Sequence, residues 1–258
     1  MAKDSYFRKH KAKIHGDISP KKIHDPIRLS EEQRAVFEQG KVLLIDKPLH
    51  WTSFDVVRKI RNALYIKKVG HAGTLDPLAT GLLIVCTGKF TKRINEYMAQ
   101  EKEYTGTFTL GSETPTYDLE SEPGNHKKVE NFTRAYLQGV AQEFTGDIMQ
   151  VPPIYSAIKK DGTSMYELAR RGDAVELSPR PVHVSEFTVT DVELPVVSFK
   201  IVCSTGTYIR SLAHDFGQAI GCGSHLSSLR RTRIGTFEVS DATGVEEFVE
   251  ELRGMSEL

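Results

Sequence analysis

Cysteine is scarce in this 258-residue sequence: Cys86, Cys203 and Cys222 are the only three, and no two share a CxxC spacing. That excludes a disulfide framework and the common zinc-ribbon patterns. Two of the three lie in apolar, strand-like runs, where a buried reduced thiol is the ordinary state, and the pattern points to a reducing cytoplasm. Long hydrophobic runs are missing as well. The longest, Leu82 to Cys86, is strand-sized, against the roughly 20 residues needed to cross a bilayer, so no membrane partner is expected. The N-terminus has no secretory hydrophobic core, and export is not expected. Neither GxGxxG nor GxxxxGK[ST] nor HExxH occurs, and the nine histidines are dispersed. No metal and no nucleotide cofactor is therefore expected.

Net charge is absent too, with 34 basic residues against 34 acidic, but the distribution is uneven. Lys47 to Arg93 holds nine Lys/Arg against two acids, whereas Glu101 to Asp147 holds nine acids against four bases. Segregation of this kind lets a neutral chain present a positive face to phosphates, although two differently charged solvated surfaces would read the same way. The first thirty positions carry eight Lys/Arg and three Asp with few large apolar residues. Residues 1–38 therefore read as a basic, mobile extension, and 39–258 as the folded part.

Within the folded part, Val42 to Ile45 is a buried-strand pattern ended by Asp46-Lys47-Pro48. Ser53 is placed as the cap of a helix carrying Val56, Val57, Ile60 and Leu64 at helical spacing. Leu82–Cys86 and the alternating Tyr104–Leu110 read as strands, followed by a helix from about 130 to 144. Pro152-Pro153 and Asp161-Gly162 bracket a short strand, with a helix at about 164–171. Strands near 182–192 and 197–203, a helix over 208–220 and an acidic helix over 244–253 complete the series. Strands and helices mix without a βαβ rhythm, which predicts a mixed α/β (α+β) fold on a largely antiparallel sheet.

Two segments stand out chemically. Gly70-His71-Ala72-Gly73-Thr74-Leu75-Asp76-Pro77-Leu78-Ala79-Thr80-Gly81 packs three glycines and a proline into twelve residues, the mark of an irregular loop with unusual backbone angles. A carboxylate in such a loop, Asp76, has the makings of a nucleophile or general base, while Asp-Pro also starts ordinary turns. Cys203 to Arg210 passes from a strand through small polar residues into a helix. That puts Tyr208 and Arg210 on a first helical turn, where an anionic ligand is readily received; a plain helix-surface cation is the other reading of Arg210.

The glycine-rich segment resembles the signature of the TruB family of tRNA pseudouridine synthases. Further matches follow in family order from about residue 41 to 237. They are Leu44-Ile45-Asp46-Lys47-Pro48 with Thr52-Ser53, Lys102-Glu103-Tyr104 with Leu110-Gly111, and Pro152 to Lys159 with Gly162 and Tyr166 to Arg170. Cys203 to Arg210 and Gly223 to Arg231 close the series. The resemblance implies the pseudouridine synthase fold, with flanking helices and an active-site cleft. It also implies an isomerase that converts uridine 55 in the T loop of tRNA, with no cofactor and no obligatory protein partner. By the same resemblance Asp76 attacks the target nucleotide, Tyr104 stacks on the flipped uracil, and Arg210 keeps Asp76 ionised. Tyr208 and Leu229 line the pocket, Lys47 supports the loop or meets RNA backbone, and His71 wedges into the T loop. On residue pattern alone Tyr104 and Leu229 also fit ordinary core, and His71 an ordinary surface histidine. Lys67, Lys68, Lys92, Arg93, Lys159, Lys160, Arg230 and Arg231 are candidate phosphate contacts, and residues 151–175 resemble the family's RNA-gripping insertion. The chain ends about twenty residues after Phe237, so no C-terminal PUA-type RNA-binding module is expected. Two other readings stay open: a guide-RNA-dependent catalytic subunit, and an RNA-binding or tRNA-folding protein.

Overall fold

The computed structural model describes residues 27, 29–156, 159–160, 163–164 and 177–256. The chain divides into two units, Met1–Tyr97 with Val239–Leu258, and Met98–Glu238.

In the first unit, α1 (Glu31–Gln39) is closed at its N-terminus by a capping box, with the Ser30 hydroxyl and the Gln33 side chain each bonding the other's backbone N–H. Strand β1 (Val42–Lys47) pairs antiparallel with β3 (Ala79–Thr87), from Val42 opposite Cys86 to Lys47 opposite Gly81. Strand β2 (Val69–Ala72) also lies antiparallel to β3, and β12 (Thr243–Gly244) runs parallel to β1. Helix α2 (Ser53–Leu64) and the C-terminal α6 (Val245–Ser256) supply apolar faces. Val56, Ile60 and Leu64 of α2 pack in one core cluster with Ile45, Leu83, Val85, Phe248 and Leu252. Each such side chain contributes about 1.5–3 kcal/mol on burial.

Ile27, Leu29 and Phe37 belong to that same core. The expected extension therefore ends well before residue 38. The pattern reading missed α1 because it has only one fully buried side chain, Phe37, and so shows little helical periodicity.

The second unit is built on five antiparallel strands in the order β10–β4–β9–β8–β5, with β11 (Phe237–Glu238) at the end of β10. Their ranges are β4 Lys102–Leu110, β5 Gly146–Gln150, β8 Arg180–Glu193, β9 Val196–Cys203 and β10 Ser224–Ile234. Phe108, Phe187, Phe199 and Phe216 form its aromatic centre, with ring centroids between 4.3 and 6.4 Å apart. Phe216 comes from α5 (Ile209–Ile220), whose apolar face also buries Leu212 and Ala213. Helix α4 (Arg134–Glu143) is capped by Thr133 and tied to β8 through Gln138, which bonds Val189 N–H and Phe187 C=O. Five-residue α3 (Ile94–Met98) precedes β4, and the two-residue strands β6 (Lys159–Lys160) and β7 (Thr163–Ser164) form a separate hairpin. Most of the helix expected at 164–171 lies outside the described residues.

The expected mixed α/β class and largely antiparallel sheet hold, as do the strands expected at 42–45, 82–86, 104–110, 182–192 and 197–203, within a few residues; of the short strand expected between Pro153 and Asp161 only the two residues of β6 are described as strand. The three cysteines are free and buried. Burial pushes the Cys86 thiol up to about 11 and that of Cys203 up to about 12, which keeps both as unreactive thiols. No helix among the described residues is long and apolar enough to cross a membrane.

Candidate active site

Asp76 sits between β2 and β3 on a loop gripped on both sides. The Ser53 hydroxyl bonds both the N–H of Leu75, at 2.9 Å, and its carbonyl, at 3.2 Å. On the other side His50 N–H donates to Pro77 C=O at 2.8 Å, and Ala79 N–H to Asp76 C=O at 3.0 Å. Leu75 is buried beneath. Backbone flanking the carboxylate is thus fixed from three directions, while Asp76 itself stays half-buried. Gly73 and Gly81 both take positive φ, 88° and 102°, which is why the loop needs glycine at those ends.

This geometry corrects the expected helix start. Thr52, not Ser53, caps α2, forming a capping box with Asp55. Ser53 is thereby released to hold Leu75. Removing its hydroxyl leaves a buried N–H unsatisfied, a loss of about 1–3 kcal/mol. Ser53→Ala is expected to lower stability by that amount in urea denaturation, with a slower reaction at saturating RNA. Unchanged stability would show that the loop holds without this bond.

Lys47 is fully buried, and its ammonium donates to Pro48 C=O at 3.0 Å and Trp51 C=O at 2.6 Å. It braces the 48–51 turn that carries His50, so of its two expected roles the burial fits loop support and not RNA backbone. His71 lies half-buried on β2, opposite Val85.

In the second unit Tyr104 is 9% exposed and stands opposite Arg231, while Leu229 stands opposite Gly106. A Cβ on Gly106 would fall 2.2 Å from Ser228 O, so only glycine permits this approach of β10. The start of α5 is held by Gln150, whose side chain accepts from Tyr208 N–H at 2.8 Å and donates to Tyr208 C=O at 3.1 Å. Ser211 adds a bond to Val151 C=O at 2.7 Å. Tyr208 is half-buried as the N-terminal cap residue.

Arg210 is 6% exposed. One of its terminal nitrogens donates to Thr116 C=O at 3.2 Å and to Tyr155 C=O at 3.0 Å. Its Nε lies 3.6 Å from Asp118 Oδ2. Asp118 is 3% exposed and also accepts from Glu120 N–H. Sequence reasoning missed Asp118 and Gln150. The only signal for Asp118 was an acid among threonines and serines in a strongly acidic stretch, which reads as solvated loop.

The proposed phosphate contacts separate by burial. Lys67, Lys68 and Lys92 are exposed. Arg93 is exposed but paired with Glu96 at 2.9 Å and laid over the Phe90 and Tyr97 rings, and Glu96 raises its pKa further. Arg230 is half-buried. Arg231 is only 1% exposed, which removes it from the set: it faces the core beside Tyr104. Lys159 and Lys160 lie on β6, but their side chains fall outside the description.

Two family models match the chain. The TruB family pseudouridylate synthase N-terminal domain covers residues 61–209, and the tRNA pseudouridylate synthase B C-terminal domain covers 210–256. The chain belongs to the TruB family of pseudouridylate synthases. It is 51% identical over 222 residues to tRNA pseudouridine synthase B of Flavobacterium johnsoniae, which is 83% of this chain and 97% of that protein. It is 44% identical over 229 residues to the enzyme of the same name from Chloroherpeton thalassium, covering 87% and 95% respectively. Among solved structures, a chain of a Cbf5–Nop10–Gar1 complex superposes with a TM-score of 0.66 at 29% identity. That match covers 87% of this chain and 62% of the other, so the TruB-family chain spans less than two thirds of that neighbour.

Proposed function

We propose that this TruB-family protein is an isomerase that converts uridine 55 in the T loop of tRNA to pseudouridine. What carries the reading is the 51% identity over nearly the whole length of a tRNA pseudouridine synthase B, joined to a rigidly held Asp76. The carboxylate attacks the target nucleotide, the N1–C1′ bond breaks, the uracil turns, and C5 bonds C1′ as the bond to the Asp76 carboxylate is released. The C5 proton then leaves and N1 takes up a proton, so atoms balance, Asp76 is regenerated and nothing is oxidised or reduced. A uridine stacked in a folded loop cannot expose these atoms, so it must be flipped into a pocket. Tyr104 stacks on the flipped base, Tyr208 and Leu229 line the pocket, and His71 fills the space the base vacates. The protein acts on the T arm alone, in the cytoplasm, without guide RNA. Identity of 51% to a tRNA pseudouridine synthase B, against 29% to a chain of the Cbf5–Nop10–Gar1 complex, favours this over a subunit that works only in a complex.

The test is an unmodified T-arm hairpin transcript incubated with the purified protein and mapped for pseudouridine. Modification at position 55 alone is expected; a requirement for a second RNA or protein would overturn the reading. Lys67 and Lys68, exposed like Lys92, are proposed to meet tRNA phosphates. Replacing both with Gln is expected to weaken binding several-fold. It should also flatten the slope of log Kd against log salt by roughly 0.7–0.9 for each phosphate no longer neutralised. An unchanged slope would remove them from the interface.

A further inference from the structure

The segment 113–118 lies along one face of α5 through three side-chain links at successive turns of the helix. Gln218 donates to Glu113 Oε1 at 2.6 Å. The rings of Tyr117 and His214 stack with centroids 4.1 Å apart and planes 13° from parallel. Asp118 meets Arg210 at 3.6 Å. Positions 210, 214 and 218 share one helix face by their four-residue spacing, and the segment is laid antiparallel along it.

Tyr117 has no ordinary reason to be where it is. It is a bulky residue at φ 63°, a left-handed conformation that costs of order 1–3 kcal/mol and persists only where the surroundings over-determine it. Here three things do. Tyr117 N–H donates to Thr114 C=O at 3.1 Å, Leu226 N–H donates to Tyr117 C=O at 2.9 Å, and the ring is stacked on His214. The His214 ring in turn is oriented by that stack, since its buried Nδ1 has no hydrogen-bond partner among the described residues. The strained residue directly precedes Asp118, so its φ sets where the next side chain points.

We propose that Tyr117 and His214 are positioning residues for Arg210. Their stack locks residue 117 in the left-handed region, which aims Asp118 at the guanidinium and Thr116 C=O at its terminal nitrogen. Neither ring needs to touch substrate. The catalytic consequence rests on the function proposed above; the positioning itself does not.

Tyr117→Ala and His214→Ala are compared with Tyr117→Phe and His214→Phe, which preserve a stack while removing the phenol or imidazole. On a T-arm hairpin well below the melting temperature, the Ala variants are expected to lose about tenfold or more in kcat with KM within about twofold. The Phe variants should recover most of the rate, the pattern of an interaction felt only in the transition state. The second readout is the 15N-resolved guanidinium signal of Arg210 in the free protein, expected to sharpen and exchange faster in the Ala variants and to stay as wild type in the Phe variants. Full activity in the Ala variants, equal losses in Phe and Ala, or a loss confined to KM would overturn the proposal. If the wild-type protein modifies no hairpin, the functional reading falls, and the Arg210 signal alone decides the positioning.

Discussion

Replacing Asp76 with asparagine is expected to abolish pseudouridine formation while leaving the fold and RNA binding in place. The carboxamide has the shape of the carboxylate but not its nucleophilicity. Loss of a group that forms the covalent bond costs on the order of 10⁴-fold or more. Several bonds that shape this loop run through backbone and through Ser53: Leu75 to Ser53, Pro77 to His50, and Asp76 C=O to Ala79. They survive the substitution. The melting temperature should therefore move by no more than about 2–4 °C, the equivalent of roughly 1 kcal/mol in a chain of this size. The decisive measurement is pseudouridine mapping of a hairpin at long incubation, with binding followed separately by fluorescence anisotropy. Activity above a hundredth of wild type would sink the nucleophile assignment.

How much of this could be read from the chain depends on the range of the interactions involved. Periodicity exposed α2 and α5 because each presents several buried apolar side chains at helical spacing, and alternation exposed β4. Those signals are local. The loop at Asp76 was legible too, since glycines at Gly73 and Gly81 advertise positive φ. Its fastening was not. Ser53 and Leu75 are 22 residues apart, and a serine at the front of a helix looks like a cap until Thr52 is seen to hold that post.

The same limit applies to cations and acids. A lysine or arginine in a sequence looks like a surface charge, which is how Lys47 and Arg231 acquired possible RNA contacts that burial rules out. Both are almost wholly enclosed. Such residues are retained inside only when their charge is met, as Lys47 is by two carbonyls. Asp118 is the acidic counterpart. It sits 92 positions from Arg210 in sequence, and only the laying of the 113–118 segment on α5 brings them together.

That pair carries the second large expectation. In Asp118→Ala the guanidinium of Arg210 keeps its bonds to Thr116 and Tyr155 C=O but loses a carboxylate in a site where both side chains are only 5–6% exposed. Removing one member of a buried ion pair weakens the compensation of the other charge, at up to roughly 3–5 kcal/mol. For a chain of this length that is a melting temperature lower by about 6–20 °C. Activity should fall with it even at temperatures where the variant is folded, because Arg210 no longer has one place to be. The cause is separable from simple packing loss by a double-mutant cycle. If the cost is an uncompensated charge, Asp118→Leu combined with Arg210→Met should be less destabilised than the sum of the single changes by at least about 1 kcal/mol. That double variant should nonetheless stay inactive. Additive losses would mean the two side chains act separately, and the 3.6 Å approach of Nε to Oδ2 would be a neighbourly approach without energetic weight. A positive coupling with abolished activity would instead show that the pair is kept for where it puts the guanidinium, at some cost to the stability an apolar core could reach.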